Sequence, residues 1–344
     1  MSTTNQSSMI KLGIIGCGYW GPNVIRNFAA LDDVEVKYIC DLDQDKLARL
    51  KRRYPQAKLV TDYREILQDK GVDAVAIVVP VQLHYAITKD SLTAGKHTFV
   101  EKPLAFKSSD AQELINLAER QGRILMVGHT FLYNSAVRYL KQYISAGECG
   151  RIFYIYSNRV NLGRLRRDIN AFWSIAPHDI SIFIHLLETD PTSVSAFGSS
   201  HLHRGIADVV FAVLKFPENV TAHVHASWLD PVKERRMTIV GSKKMIVYDD
   251  IDSEARVKIY DKGAEMQELP RTYGEYQYRL RAGDIFIPKI DFHEPLAAEC
   301  QHFIHCVRTG TTPLTDGLAG LRVVRVCEAV DRSMESGGLP VELD

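Results

Sequence analysis

Residues 14–21 read IIGCGYWG, and this stretch decides the fold of the first part of the chain. Its glycines, Gly16, Gly18 and Gly21, match the pattern GxGxxG between an apolar run, IKLGII, and a helical pattern, NVIRNFAAL. In a strand–turn–helix unit the first glycine permits a tight turn, the second lets a pyrophosphate approach the backbone, and the third lets the helix pack closely on the strand. Free N–H groups at the helix start then attract an anion. The stretch therefore predicts a dinucleotide-binding turn.

The first 128 residues continue this alternation of short apolar runs and helical patterns. The later runs are VEVKYIC, DAVAIVVP, HTFVEKP and RILMVGH. The alternation predicts a parallel sheet, and the almost wholly apolar runs indicate that helices cover both of its faces. We expect helices to start near Gly21, Asp43, Asp62, His84 and Ser108, with N-caps at Asp43 and at Ser108 or Ser109, and with Gly122 as a left-handed C-terminal residue.

Asp41 ends the second apolar run, 20 residues after Gly21. A carboxylate at this place accepts hydrogen bonds from the hydroxyls of an adenosine ribose and repels a 2′-phosphate, which favours NAD over NADP. The alternative is an aspartate that only stabilises a turn, although Asp43 is the better helix cap. The residues expected to contact the dinucleotide in this region are Gly16, Gly18, Tyr19, Trp20, Gly21 and Asp41.

The pattern of the chain changes after about residue 130. A helix (SAVRYLKQYISAG) and a strand (RIFYIYSNRV) precede an arginine-rich loop and a further helix (APHDISIFIHLLE). Several strand-like runs with short turns follow, and the chain ends in helices. Successive strands with short connections predict an antiparallel sheet. The expected division is a disordered tail at 1–9, a dinucleotide-binding domain at 10–129 and a second α/β domain at 130–344.

Composition excludes several classes of function. The 344 residues carry 42 acidic and 42 basic side chains, so no overall field favours nucleic acid or an anionic membrane. The six cysteines form no CxxC pair and no cluster with zinc-site spacing, which predicts a reducing compartment and no metal. No apolar run approaches the ~20 residues that span a bilayer, and no signal-peptide pattern is present. We therefore expect a cytoplasmic protein.

A second motif, Glu101-Lys102-Pro103, ends the fifth apolar run in GKHTFVEKPLAF. Together with IIGCGYWGPN, VVPVQLHYAI, WSIAPHDISIFIHLL and PLTDGLAGLRVVRVCEA it resembles the glucose–fructose oxidoreductase / inositol dehydrogenase / MocA family over nearly the whole chain. GYWGPN and WSIAPHDI resemble the branch that acts on nucleotide-linked sugars, which includes UDP-N-acetylglucosamine and UDP-acetamido-glucuronate 3-dehydrogenases. The resemblance implies a Rossmann domain and an α/β domain for substrate binding and oligomerisation. The open face of the second domain's large sheet would form a homodimer or homotetramer interface.

Lys102 is the first candidate catalytic residue. An ammonium beside a sugar hydroxyl can stabilise a developing alkoxide, and burial near a cofactor can lower its pKa. The alternative is an exposed lysine in a turn.

The resemblance implies that Glu101 contacts the nicotinamide ribose, that the Lys102–Pro103 bond is cis, and that Pro80 and His84 lie near the nicotinamide. For His84 the alternative is a structural residue at a helix start.

His178 is the second candidate, near the start of the helix APHDISIFIHLLE. At 3.6 residues per turn it points roughly away from the apolar face that includes Ile180 and Phe183. A histidine there could accept the proton of a sugar hydroxyl, because its pKa lies near neutrality. The alternative is a structural histidine, which is how we interpret His185. The resemblance implies that His178 is the base.

The sequence departs from the family at one position near this histidine. Many members carry an aspartate four residues before it, and this chain has Ser174. Either His178 works with Lys102 alone, or another acid, Asp168 or Asp179, takes the place of that aspartate.

The loop NLGRLRRDINAFW contains candidate substrate contacts. The guanidinium groups of Arg164 and Arg167 suit a diphosphate, which they can bind in a bidentate manner, although a solvated basic loop is an equal alternative. Trp173 either lines a sugar or base pocket or has only a packing role. Ser174, the next residue, is a further candidate substrate contact. We interpret His223 and His225, which alternate along one strand, as structural because no acid lies at metal-site spacing.

The combined expectation is an NAD-dependent dehydrogenase that oxidises the C3 hydroxyl of a UDP-N-acetyl sugar, such as UDP-N-acetylglucosamine, and transfers hydride to nicotinamide C4. Its 3-keto product would pass to a downstream aminotransferase, by analogy with the family. The alternatives are a dehydrogenase of a free polyol or monosaccharide such as an inositol, a ketoreductase that runs in the reverse direction, and a non-catalytic NAD-binding sensor.

Overall fold

The computed structural model describes residues 9–163, 165–266 and 278–343. The strands in this part of the chain are β1 Ile10–Ile15, β2 Val34–Cys40, β3 Lys58–Val60, β4 Ala74–Ile77, β5 His97–Glu101, β6 Leu125–Gly128, β7 Ile152–Val160, β8 Ser193–Ser199, β9 Val209–Lys215, β10 Thr221–Ser227, β11 Glu234–Gly241, β12 Met245–Asp249, β13 Val257–Met266, β14 Tyr278–Phe286 and β15 Val341–Glu342. The α-helices are α1 Gly21–Ala29, α2 Gln44–Lys51, α3 Arg64–Gln68, α4 His84–Thr93, α5 Ser108–Gln121, α6 Ser135–Ser145, α7 Ala171–Ile175, α8 Pro177–Leu187, α9 Pro295–Thr309 and α10 Gly317–Glu335.

The chain divides into two compact units. The first contains the described residues up to Tyr133 together with His293–Arg325, and the second contains those of Asn134–Phe292 and those from Val326 onward. The sequence division placed everything after residue 129 in the second domain. The segment His293–Arg325 instead packs with the first unit, through α9 and through a bridge between Met126 and Asp316. A pairing of residues so distant in sequence leaves no local pattern.

The sheet of the first unit has six parallel strands in the order β3-β2-β1-β4-β5-β6. This is the doubly wound order that binds dinucleotides at the carboxyl ends of its strands, and it confirms the predicted parallel sheet. β3 has three residues and was not predicted, because its two apolar residues are too few to form a run. The core contains a trio of edge-to-face rings, Phe28, Phe99 and Phe303, with centroids 5.9 to 6.1 Å apart.

The helix ends show where local sequence decides structure. Asp43 caps α2 as predicted, and its carboxylate accepts from the backbone N–H groups of Asp45 and Lys46. Gly122 ends α5 with a φ of 60°, also as predicted. The capping role expected for Ser108 or Ser109 is wrong, because Ser108 is already helical and Lys107 occupies the N-cap without a side-chain bond.

The second unit contains a nine-stranded sheet in the order β14-β13-β12-β11-β7-β10-β9-β8-β15. All neighbouring pairs are antiparallel except β7 and β10, which confirms the mostly antiparallel α/β domain that the sequence predicts. Burial alternates along β9, where Val210, Ala212 and Leu214 face the core and Phe211 and Val213 are exposed. One face of this sheet therefore packs on helices and the other is open. In the described part of the chain no helix is long and apolar enough to cross a membrane.

Candidate functional site

The glycine turn between β1 and α1 has the geometry that a pyrophosphate requires. Gly16 has a φ of 105°, and a Cβ atom there would overlap the carbonyl oxygen of Val78. A Cβ at Gly21 would overlap the carbonyl oxygen of Gly16, whereas at Gly18 it would meet no atom within 4 Å. Trp20, the N-cap of α1, makes no side-chain bond to the helix start. The turn thus combines two glycines that packing requires with one that borders open space, where the dinucleotide phosphates fit.

Asp41 lies beside this turn at the end of β2. Its Oδ2 accepts from the backbone N–H of Cys17 at 2.6 Å, and its Oδ1 accepts from Asp43 N–H at 2.9 Å. The ammonium of Lys46 lies 3.6 Å from Oδ1. A carboxylate offers about four lone-pair directions, so two backbone bonds leave capacity for ribose hydroxyls. Asp41 therefore stabilises the turn and also fits the predicted ribose contact.

The Glu101-Lys102-Pro103 turn begins at the last residue of β5, at the same carboxyl edge of the sheet, and the Lys102–Pro103 bond is cis, as the resemblance implied. The ring of His84 is buried and joins two turns, because Nδ1 lies 2.7 Å from the Pro103 carbonyl oxygen and Nε2 lies 2.9 Å from that of Val79. His84, at the start of α4, thus holds the backbone of the turn at Pro103, the residue after Lys102. Pro80, beside Val79, is exposed.

Three polar residues near this turn escaped the sequence analysis: His129 and Glu299, which are buried, and Thr130, which is half-buried. Thr130 Oγ1 donates to Glu299 Oε2 at 2.7 Å, and both Glu299 and His129 are buried. His129 and Thr130 directly follow β6, so their position at the carboxyl end of a parallel strand was a usable signal. Glu299 lies in the apolar helical pattern PLAAECQHFIHC, where a buried-face glutamate was also a usable signal.

In the second unit, His178 is the second residue of α8 and is half-buried. The buried residues of this helix include Ile180 and Phe183, as its apolar pattern predicts. The His178 carbonyl oxygen accepts from Ser181 Oγ at 2.7 Å, which reinforces the first turn. His185 is half-buried, and burial lowers the pKa of its ring below the ordinary value.

A buried ion pair holds the first turn of α8. Asp179, next to His178, accepts from Arg159 of β7 through both oxygens, at 2.5 Å from Nε and 3.2 Å from NH2. Asp168 is likewise paired with Arg166, at 2.9 and 2.6 Å, in a more exposed position. Both acids that could replace the family aspartate thus have their oxygens engaged by an arginine. Arg159 is a further residue that sequence analysis missed.

The arginine-rich loop carries the remaining candidates. Arg164 lies outside the described residues, and Arg167 is exposed. Trp173 is buried in α7, and its indole N–H donates to Asp331 Oδ2 at 2.6 Å, which favours the packing alternative for this residue. Ser174 follows it and is half-buried. Within the described ranges no group of histidine, cysteine and acidic side chains could hold a metal ion.

Comparison with known proteins places these features in a family. Two family models match: the oxidoreductase family with an NAD-binding Rossmann fold over residues 10–129, and the GFO/IDH/MocA C-terminal domain over residues 137–247. The NAD(+)-dependent scyllo-inositol 2-dehydrogenase of Bacillus subtilis is 25% identical over 347 residues, covering 97% of this chain and 96% of that protein. The UDP-N-acetylglucosamine 3-dehydrogenase of Acidithiobacillus ferrooxidans is 26% identical over 328 residues, covering 95% and 98%.

Solved structures agree on the fold. The WlbA dehydrogenase of Bordetella pertussis, crystallised with NADH and UDP-GlcNAcA, has a TM-score of 0.79 at 22% identity, covering 98% of this chain and 99% of that one. The glycine turn and Asp41 fit the dinucleotide that the matching family binds. The chain therefore belongs to the GFO/IDH/MocA oxidoreductases, a family of NAD-dependent sugar and polyol dehydrogenases.

Proposed function

We propose that this protein oxidises the C3 hydroxyl of a UDP-N-acetyl sugar to the 3-keto sugar nucleotide. The observation that carries the dehydrogenase chemistry is the placement of Lys102 at the carboxyl edge of the parallel sheet, in a turn that His84 holds through the Pro103 carbonyl. Doubly wound folds bind their ligands at this edge. The choice of a nucleotide sugar rests on the WSIAPHDI segment and on the Acidithiobacillus relative, which matches over nearly the full length of both chains.

The proposed chemistry divides between two side chains. Bound NAD supplies the hydride acceptor at nicotinamide C4. The Lys102 ammonium hydrogen-bonds the substrate oxygen and stabilises its developing negative charge. His178 accepts the hydroxyl proton, in a helix turn that the Arg159–Asp179 pair keeps rigid. Glu101 contacts the nicotinamide ribose.

A free polyol such as an inositol is the second candidate substrate, because the scyllo-inositol 2-dehydrogenase matches this chain as well as the sugar-nucleotide enzyme does. The arginine-rich loop separates the two substrates. Replacing Arg164 and Arg167 by alanine removes two diphosphate ligands and should raise the KM for a UDP sugar by about tenfold or more. The same change should leave a free sugar unaffected. Arg204→Ala, at another exposed arginine of the second unit, is the control.

The experiment that tests the proposed function is a screen for NADH formation. The purified protein is incubated with NAD and, separately, with UDP sugars, other nucleotide sugars, inositols and free sugars, and the oxidised carbon is identified by NMR. NADH formation with a UDP-N-acetyl sugar and a new C3 ketone is the expected result. Oxidation of an inositol alone, or of another carbon, would contradict the proposed specificity. A C3 ketone would be a suitable substrate for a downstream aminotransferase.

We also propose that the open face of the nine-stranded sheet binds a second copy of the chain, as a dimer or tetramer. Phe197 and Phe211 are paired across β8 and β9, and both are exposed. The ring of His225 stacks on Phe211 with centroids 4.3 Å apart, and His223 lies on the same face. This row of exposed phenylalanine rings and stacked imidazole rings suits a self-complementary interface.

Size-exclusion chromatography with light scattering measures the mass of the protein in solution and so tests this interface. The wild type should elute as a dimer or tetramer, and Phe211→Asp should shift it to the monomer. Val232→Asp, at an exposed apolar residue outside the strands, is the matched control and should not change the mass. A monomeric wild type would contradict the proposal.

A further inference from the structure

Two glutamates from distant parts of the sequence reach the carboxyl edge of the parallel sheet. Glu101 ends β5 opposite Gly128, the last residue of β6. A Cβ atom on Gly128 would lie 3.0 Å from Glu101 Oε2, so the glycine makes room for this carboxyl group. Two residues later Thr130 donates to Glu299, which extends from α9. Both carboxyl groups therefore belong to one polar cluster at the ends of β5 and β6, together with His129 and Thr130.

The hydrogen-bond donors in this cluster cannot satisfy two anions. Glu299 Oε2 accepts from the neutral hydroxyl of Thr130, whereas Glu101 accepts from the Trp20 side chain and, through Oε2, from the backbone N–H of Lys102 at 3.3 Å. In the part of the chain that the structure describes, the other oxygen of each carboxyl group is buried without a hydrogen-bond partner, as are both ring nitrogens of His129. A buried ion without donors is costly, so this arrangement favours one charge rather than two.

We propose that Glu101 and Glu299 carry one proton between them, and that this proton resides on Glu299. Glu101 keeps the negative charge because the charge of Lys102 and two N–H donors favour its anion, whereas the donor to Glu299 is a neutral hydroxyl. Glu299 is thus a positioning residue, since its neutral state lets Glu101 and Lys102 form a one-to-one charge pair. The inference depends on the proposed function only for the roles that Glu101 and Lys102 play in it.

The electrostatics of the surrounding groups agree with this assignment. Burial, and then the charge of Glu101, raises the pKa of Glu299 well above its ordinary value. Burial raises the pKa of Glu101 to about 7, although the charge of Lys102 acts against this. Burial lowers the pKa of the His129 ring to about 3, with the charge of Lys102 acting in the same direction, so the ring is neutral near pH 7. Burial also raises the pKa of the Cys300 thiol, which stays uncharged.

Infrared spectroscopy of the protein without substrate or NAD tests the location of the proton. At about pH 8.5, above the pKa of about 7 that burial gives Glu101, the wild type should show the carbonyl stretch of a protonated carboxyl group, and Glu299→Gln should remove it. Glu119→Gln, at an exposed carboxylate of α5, is the matched control and should leave the band unchanged. Absence of the band in the wild type would contradict the proposal, and its persistence in Glu299→Gln would place the proton elsewhere.

The pH dependence of stability and of NAD binding gives the second readout. A carboxyl group whose pKa is raised in the folded state stabilises the fold at acid pH, and this contribution is lost as the pH rises above the unfolded value near 4.3. The difference in unfolding free energy between Glu299→Gln and the wild type should therefore shift in favour of the glutamine variant as the pH rises. Near neutral pH the glutamine, which mimics the protonated acid, should keep the Kd for NAD within about threefold, since less than 1 kcal/mol is involved.

The pH dependence of unfolding and the affinity for NAD are both independent of the sugar that the enzyme oxidises. A pH dependence of unfolding that is identical in the wild type and in Glu299→Gln would overturn the proposal. A drop of about a hundredfold in NAD affinity in Glu299→Gln would also overturn it, since it would show that Glu299 acts as an anion. Failure of the substrate screen would leave these results unchanged, so the two proposals can fail separately.

Discussion

The first turns of α1 and α8 both contain candidate functional groups, but different interactions hold those groups in place. At α1 the backbone is exposed because glycines omit their side chains, and the space around Gly18 is open. At α8 a histidine is presented because its neighbour Asp179 is tied to Arg159 in a buried ion pair. The first start is made by six consecutive residues, and the second depends on a contact between residues 20 positions apart.

This difference determines what a substitution at the start of each helix should disrupt. A change in the glycine turn alters the space in which the cofactor binds. A change in the buried pair leaves an unpaired charge in the interior, so that the fold of the second unit suffers before any ligand is involved. The substitutions below test this contrast, in order of expected effect.

Asp179→Asn should have the largest effect. It leaves the guanidinium of Arg159 buried without its counter-charge and should lower the free energy of unfolding by about 3–5 kcal/mol, measured by urea denaturation. Asp168→Asn removes the partner of Arg166 in a more exposed pair and should cost less than about 1 kcal/mol. Equal losses in the two variants would show that burial does not distinguish these pairs.

Gly16→Ala should have the next largest effect. Its methyl group would overlap the Val78 carbonyl oxygen at a φ of 105°, and strain of this kind costs about 1–3 kcal/mol or more. We expect a lower melting temperature and, by calorimetric titration, an NAD affinity at least about tenfold weaker.

Gly18→Ala is the matched control for the glycine turn. No neighbouring atom lies within 4 Å of the added methyl group, so the melting temperature should stay near that of the wild type. NAD affinity should still fall, because the methyl group occupies space that the pyrophosphate needs. Unchanged NAD affinity in Gly18→Ala would contradict the phosphate-binding role of the turn.

We expect the smallest effect on stability at the start of α2. Asp43→Ala removes a carboxylate that accepts from two backbone N–H groups and should lower the melting temperature slightly. Ser108→Ala, at a serine that caps nothing, should not change it. If the two alanine variants melted alike, the distinction between these two helix starts would have no energetic consequence.

The sequence predicts the features that short local patterns specify. The glycine turn and the cap at Asp43 depend on neighbouring residues, and the structure shows them where the patterns placed them. Asp41 lies where its spacing from the turn predicts, and the cis Lys102–Pro103 bond is the one that the family resemblance implies. The alternation of apolar runs likewise predicts both sheets, because strand and helix periods are local properties.

The features that sequence analysis missed depend on tertiary contacts. Trp173 binds Asp331, 158 residues away, and Thr130 binds Glu299, 169 residues away. A single sequence contains no record of such pairs, so Trp173 could not be assigned to packing and the partner of Glu299 could not be named, although its place in an apolar helical pattern was a usable signal. The packing of His293–Arg325 with the first unit was missed for the same reason.

The most direct test of the proposed chemistry is the rate of NADH formation in a single turnover at saturating NAD and UDP-N-acetylglucosamine. We predict that Lys102→Met and His178→Asn each lower this rate by about a hundredfold or more, because each removes a group that acts on the reacting hydroxyl. Wild-type rates in both variants would contradict the proposed chemistry.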